Sequence, residues 1–221
     1  VHSRPVHSTQ SRPHPRLDEV VRRHLAIPSR APVPDHAHAA FGSVADRIAA
    51  EPERPIVLDS GCGTGASTRA LAIADPEAWV IGIDRSAVRL ARGPLASPTT
   101  MPPNLLLARA ELAAFWRLAR AAGWRVHRHW LLYPNPWPKP EHLMRRWHGH
   151  PAFADLLALG GEVRLRTNWR VYAEEFALAL GVAGLAATIR PVDVDDAPAS
   201  PFEAKYAASG HALFDVRADA G

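Results

Sequence analysis

Residues 59–65 read Asp59-Ser60-Gly61-Cys62-Gly63-Thr64-Gly65. They lie between a short apolar run, Ile56-Val57-Leu58, and a stretch of helical spacing that starts at Ala66. Glycines at such a turn let the backbone bend sharply and bring its N–H groups close to a ligand. Gly61, Gly63 and Ala66 also fit the G-x-G-x-x-A fingerprint of dinucleotide-binding turns. Asp84 ends the next apolar run, about 20 residues further on, where a carboxylate can accept ribose hydroxyls. Strand, turn, helix and acid in this register indicate a cofactor that carries a nucleoside.

A second group follows a later apolar run. Tyr133-Pro134-Asn135-Pro136-Trp137-Pro138-Lys139 holds an amide and an indole among prolines, and Pro140 adds a fourth. Prolines fix φ, so the loop is stiff and holds Asn135 in place. Lys139, His142, Arg145 and Arg146 come next. On a helix starting near Glu141, His142, Arg145 and Arg146 share one face, a grouping suited to phosphate. Arg166-Thr167-Asn168-Trp169 and Ser200-Pro201-Phe202-Glu203 place further small polar groups after a strand and a loop. His148-Gly149-His150 has no companion ligands in sequence, so no metal site is expected.

The elements that must position these groups alternate. Strands are predicted at 56–58, 79–83, 105–107, 126–133 and 162–166, and near 186–190 and 211–216. Helices are predicted at 66–74, 86–92, 111–122, 141–159 (interrupted near Gly149 and Pro151) and 169–180. Strands separated by helices mean an α/β fold with a parallel sheet covered on both faces. Two more helices, 17–27 and 37–50, precede the first strand, and Pro28, Pro32 and Pro34 are expected to end the first of them. Residues 1–16 hold three Arg, three His, three Pro and no acid. Such a stretch cannot bury a core and is expected to be a disordered basic tail. The organisation is therefore 1–16 tail, 17–54 helical extension and 55–221 cofactor-binding domain.

Composition narrows the class. The 221 residues are 47% hydrophobic and 22% charged, which excludes a wholly disordered chain. Cys62 is the single cysteine, so no disulfide framework can form within the chain. No apolar run is long enough to span a membrane, and the first residues lack the apolar centre of a signal peptide. A soluble, cytoplasmic protein is expected. The net charge is +4, and only Lys139 and Lys205 among 26 basic residues are lysines. The positive charge concentrates in residues 1–30 and in 139–146. Asp193, Asp195, Asp196, Glu203, Asp215 and Asp219 make the last part acidic.

Asp59 with G-x-G-x-G resembles the first motif of S-adenosylmethionine-dependent methyltransferases. A diphosphate would be repelled by Asp59, which disfavours a nicotinamide cofactor. The wider pattern resembles one family, the bacterial tRNA (guanine-N7)-methyltransferases, over residues 55–217. The family's P-D-P-W-P-K-x-x-H-x-x-R-R is matched by Pro134, Asn135, Pro136, Trp137, Pro138, Lys139, His142, Arg145 and Arg146. Its T-D-W is matched by Thr167-Asn168-Trp169, and its T-x-F-E by Ser200-Pro201-Phe202-Glu203.

The resemblance implies a Rossmann-like class I methyltransferase fold, with a mostly parallel seven-stranded sheet, and S-adenosyl-L-methionine as donor. It implies that Asp59, Gly61, Gly63, Gly65, Asp84 and Glu111 serve the donor. Asn135 is the implied catalytic residue facing the acceptor. Lys139, His142, Arg145, Thr167, Asn168, Ser200 and Glu203 are the implied substrate contacts. tRNA or another RNA is the implied partner, and the assembly is open between monomer and homodimer. Asn135 and Asn168 stand where the family pattern has aspartate. An asparagine offers an acceptor and a donor without charge, so it reads guanine less well than a carboxylate. Asn-Pro before an aromatic is also similar to the N-P-P-Y/W loop of amino methyltransferases. The alternatives are a same-scaffold enzyme for a small molecule, protein or exocyclic amine, and an inactive nucleic-acid-binding homologue.

Overall fold

The computed structural model describes residues 3–27, 29, 31–93, 101–193 and 198–221. Pro28, Asp195 and Asp196, which enter the reading above, lie outside the described residues.

Seven strands form one sheet: β1 (Ile56–Ser60), β2 (Trp79–Asp84), β3 (Leu105–Arg109), β4 (Arg128–Leu132), β5 (Glu162–Thr167), β6 (Thr188–Pro191) and β7 (Phe214–Asp219). Their order is β3-β2-β1-β4-β5-β7-β6. The first five run parallel, and β7 pairs antiparallel with both β5 and β6. The expected mostly parallel seven-stranded sheet is what forms. β1 and β2 are buried at every residue, as apolar runs at the centre of a doubly covered sheet must be. β6 is exposed throughout and forms an edge.

Eight helices pack around the sheet among the described residues: α1 (Leu17–Ala26), α2 (Asp35–Ala49), α3 (Ala66–Ala74), α4 (Ala87–Leu90), α5 (Leu112–Ala121), α6 (Phe153–Ala158), α7 (Arg170–Val182) and α8 (Pro201–Ala208). Strand alternation sorts the core. Leu58, Ile81, Leu131, Val163 and Leu165 face a large cluster with Phe115, Trp116 and Phe176. Val57, Val80, Leu105, Trp130 and Leu132 face a smaller one with Ala72. Gly82 lets α3 come down onto β2, since a Cβ there would sit 2.4 Å from Thr68 Oγ1.

Two expectations change. Residues 3–16 take no helix or strand, as their composition predicts, yet they lie along the body and hydrogen-bond to it through Ser3, Ser8, Gln10 and His14. Side-chain and backbone hydrogen bonds anchor this arm, and Val6 packs against the core. The helical extension also shares the sheet's core: α1 buries Leu17, Val20 and Val21, and Phe41 of α2 meets Phe115 edge-on at 5.3 Å.

The sheet order sets the site. β1 and β4 are neighbours, and the chain reverses its direction of progress between them. Open α/β sheets bind ligands beyond the carboxyl ends of strands at such a switch point. The glycine turn follows β1 and the proline-rich loop follows β4, so both motifs meet there.

Candidate active site

One side of the switch point is built on the turn after β1. Gly61, Gly63 and Gly65 have φ of 85°, 62° and 80°, a region costly for residues with a Cβ. A Cβ on Gly63 would meet nothing within 4 Å, so this turn faces open space. Gly61 and Cys62 N–H donate to Ile83 carbonyl at 2.8 and 3.1 Å, which ties the turn to β2. Asp84 Oδ2 accepts from Gly63 N–H at 3.0 Å, and Oδ1 accepts from Ser86 N–H at 2.7 Å. Each oxygen keeps a lone pair for a further donor. Glu111 is exposed at the N-cap of α5, just past β3. Ala110 N–H donates to the Asp84 carbonyl at 3.3 Å, so these two acids lie on adjacent strand ends.

Asp59 lies at the end of β1, just before the turn. It is buried, and its Oδ2 accepts from Ser67 Oγ at 2.6 Å and Thr68 Oγ1 at 2.7 Å. Burial pushes its carboxyl above the ordinary range, while the two hydroxyls work the other way. Asp59 pins the first turn of α3 beneath the glycine turn. Cys62 is buried as well, and burial first, then Asp59, pushes its thiol far up. It is not an available nucleophile.

The other side of the switch point is the loop after β4. Asn135 is exposed, and its Oδ1 accepts from Trp137 N–H at 3.3 Å. Tyr133 and Trp137, on either side, have φ of 51° and 44°. They are the non-glycine residues with positive φ among the described residues. Such backbone persists only where its surroundings over-determine it. Tyr133 N–H donates to Arg166 carbonyl at 2.8 Å, and its hydroxyl donates to Glu203 at 2.8 Å. Arg145 lies 4.8 Å over the Trp137 ring, and His142 meets that ring edge-on at 5.4 Å. Lys139 is exposed beside them.

Of the interrupted helix expected over 141–159, the part after the break is α-helical and the part before it is not. Pro140–Arg145 and Trp147–Gly149 are 3₁₀ turns, and α6 begins only at Phe153. In a 3₁₀ turn positions i and i+3 eclipse. His142 and Arg145 therefore share a face at Trp137, while Arg146 turns inward and is fully buried. Arg146 does not belong to a phosphate-facing surface. It pairs with Glu175 at 2.5 Å and stacks 4.9 Å over Trp169.

The remaining expected residues are placed as follows. Thr167, at the end of β5, is buried, and its Oγ1 accepts from Trp169 N–H at 3.2 Å. Asn168 Nδ2 lies 3.0 Å from His211 Nδ1. Ser200 caps α8, its Oγ accepting from Glu203 N–H at 3.2 Å. Glu203 is buried and accepts from Tyr133, from Arg166 Nη1 at 2.7 Å and from Ala199 N–H at 2.9 Å. Ser200 and Glu203 thus spend these bonds inside the protein, on the loop's footing. Helix α8 itself was legible: Ser-x-x-Glu with proline at the first helical position is a helix-start signal. The hydrogen bonds of Tyr133 to Glu203 and of Arg146 to the carbonyls of Trp137 and Lys139 carry no signal in the sequence. Among the described residues no three His, Cys, Asp or Glu side chains gather as a metal site. Among the described residues no helix is long and apolar enough to cross a membrane.

A family model described as "Putative methyltransferase" matches residues 53–215. The tRNA (guanine-N(7)-)-methyltransferase of Photobacterium profundum is 30% identical over 174 residues, covering 75% of this chain and 70% of its own length. That of Nitrosococcus oceani is 31% identical, covering 73% and 70%. The chain belongs to the tRNA (guanine-N7)-methyltransferase family. An aminoglycoside resistance methyltransferase superposes with TM-score 0.56 at 19% identity, covering 82% of this chain and 93% of that one. A 16S rRNA (adenine(1408)-N(1))-methyltransferase from Catenulisporales acidiphilia gives 0.51 at 21%, covering 81% and 90%. These two likenesses establish the fold.

The methyltransferase uses S-adenosylmethionine as its donor. The glycine turn fits this group: it is open above Gly63, and Asp84 has accepting capacity beside it.

Proposed function

We propose that this methyltransferase methylates N7 of guanine in tRNA. The observation that carries the reading is the 30% identity to a tRNA (guanine-N(7)-)-methyltransferase over 174 residues, together with a stiff loop that exposes Asn135 at the switch point. Guanine N7 is a lone-pair nucleophile with no proton to lose. The step therefore needs alignment and no general base, and alignment alone can be worth about 7–11 kcal/mol.

Bound adenosylmethionine supplies an electrophilic methyl group on a sulfonium. Gly61, Gly63 and Gly65 shape the turn against its methionine part. Asp84 would accept from its ribose hydroxyls, and Glu111 from its adenine amino group. Asn135 presents its remaining amide capacity to the guanine edge, assisted by Thr167 and Asn168. Ser200 and Glu203 contribute through the loop, since Glu203 holds Tyr133. Lys139, His142 and Arg145 take the flanking phosphates, where a guanidinium and an ammonium are suited to backbone contact.

The neutral amide at 135 favours one rival reading, in which the acceptor is an exocyclic amine. Incubating the purified enzyme with donor and with tRNA from a strain lacking the gene separates the two. Nucleoside mass spectrometry is expected to show 7-methylguanosine. Unmodified tRNA with donor turnover on another acceptor overturns the guanine-N7 reading.

A further inference from the structure

Three successive carbonyls of the acceptor loop, those of Trp137, Pro138 and Lys139, each receive a side-chain donor. Arg146 Nε and Nη2 donate to Trp137 carbonyl at 3.2 and 3.1 Å, and Nη2 donates to Lys139 carbonyl at 3.1 Å. Ser8, in the N-terminal arm, donates to Pro138 carbonyl at 2.5 Å. The loop is thus held by a buried guanidinium and by a segment about 130 residues away in sequence.

The arm also reaches the guanidinium. Gln10 Oε1 accepts from Arg146 Nη2 at 2.8 Å, and Gln10 Nε2 donates to Glu175 Oε1 at 2.7 Å. Arginine can only donate and an ionised glutamate can only accept, so the pair fixes which way the Gln10 amide points. Glu175 accepts further from His14 N–H at 2.9 Å, from His148 Nε2 at 2.9 Å and from Arg146 Nη1. Arg146, His148 and Glu175 are all fully buried. A buried ion pair stabilises only when its remaining hydrogen-bonding capacity is satisfied. Gln10 spans both partners and supplies that satisfaction.

We infer that Gln10 and Arg146 are positioning residues for the acceptor loop, and that residues 3–14 form a strap that sets its strained conformation at Trp137. Arg146 is the shared member: one guanidinium answers to the arm, to α7 and to the loop. Loosening Gln10 frees Arg146 to move, and Arg146 carries two of the three gripped carbonyls. The inference rests on the geometry for the strap itself, and on the proposed function only for its effect on methyl transfer.

The test is hydrogen exchange by mass spectrometry on the full chain, comparing wild type with Gln10→Ala and with Ser8→Ala/Gln10→Ala. Amides of Trp137, His142 and Arg146 are all hydrogen-bonded within this segment and report on it. Exchange across 137–146 is expected to rise about tenfold, the factor for roughly one lost hydrogen bond. Protection of α3 and the donor's Kd, measured by calorimetry, are expected to stay unchanged. Unchanged exchange at 137–146, or a rise shared equally by α3, overturns the strap and leaves a merely structural cluster. In parallel, kcat on tRNA is expected to fall about tenfold with donor affinity unchanged. If wild type methylates tRNA while exchange does not respond, the strap is wrong. If exchange responds while wild type leaves tRNA unmethylated, the strap stands and the acceptor assignment falls.

Discussion

Tyr133 and Glu203 are joined by a 2.8 Å hydrogen bond that ties the start of the acceptor loop to helix α8. Burial, and then Glu203 itself, push the Tyr133 hydroxyl well above its ordinary range, so it stays a donor at neutral pH. Tyr133→Phe removes this donor and leaves Glu203 with Arg166 and Ala199. The loss is expected to be about 1.5–3 kcal/mol, the range for a hydrogen bond to a charged group. Denaturant unfolding reads the stability, and kcat is expected to drop with donor Kd unchanged. A variant as stable and as active as wild type shows the bond to be dispensable.

Gly63 lies at φ 62° on the open face of the glycine turn. Gly63→Val places a β-branched side chain in a left-handed conformation, at a cost of about 1–2 kcal/mol, and fills the donor's space. Calorimetry is expected to show no adenosylmethionine binding, and the thermal shift seen with donor in wild type is expected to vanish. Retained binding moves the donor away from this turn.

Arg145 lies over Trp137 on the exposed side of its 3₁₀ turn. Arg145→Ala is expected to weaken tRNA binding across sequences and to reduce the slope of log K against log salt by about 1, the signature of one lost phosphate contact. Titrations at several salt concentrations measure it. An unchanged slope removes Arg145 from the phosphate contacts.

Asn135 keeps Trp137 N–H through its side-chain oxygen, a role that aspartate also fills. Asn135→Asp therefore preserves the turn and adds a charge beside the cation that forms on methylated guanine. Methylation of guanine in tRNA is expected to rise by about tenfold, which corresponds to about 1.4 kcal/mol of the barrier. If the rate does not increase, the lack of a carboxylate at this position is not what limits the reaction.

Acid weakens the fold through two buried groups with the same sign. His129 is fully buried in β4 with neither ring nitrogen bonded in the structure, and burial lowers it to about 3. Below its ordinary value of 6.5 the unfolded chain binds a proton that the folded chain refuses, so stability falls as pH falls toward 3. The slope is about 1.4 kcal/mol per pH unit at most. Burial favours the protonated form of Glu175, but His148 and Arg146 outweigh it and hold the carboxyl at about 2. Its stabilisation is present above 4.5 and is lost as pH falls through that lower window. Urea unfolding between pH 7 and 4 is expected to show a shallower acid loss for His129→Leu than for wild type. Parallel curves exclude His129 as the source.

Local signals made much of this protein legible. Glycine spacing after an apolar run, an acid about 20 residues on, and proline stiffening of a loop each act within a few residues, so sequence reveals them. The alternation of strands and helices did the same for the sheet. Helix α8 was legible in principle from its capping residues and was missed because the segment was read only for its polar groups. The 3₁₀ turns at 140–149 escaped because Arg146 leaves the helical path to reach Glu175, a partner 29 residues away.

The sequence by itself determined the α/β sheet, the donor turn with its glycines and Asp84, and the clustering of Asn135, Trp137 and basic residues on one loop. Those follow from backbone sterics and short-range periodicity. Only the tertiary structure decided which charges are free. It buried Asp59, Arg146, Glu175 and Glu203 and gave each its hydrogen-bond partners, because a charge out of water must be met by other polar groups. It also laid the N-terminal arm against the acceptor loop: polar side chains at positions 8 and 10 find their partners near 138, 146 and 175, a pairing no local pattern announces.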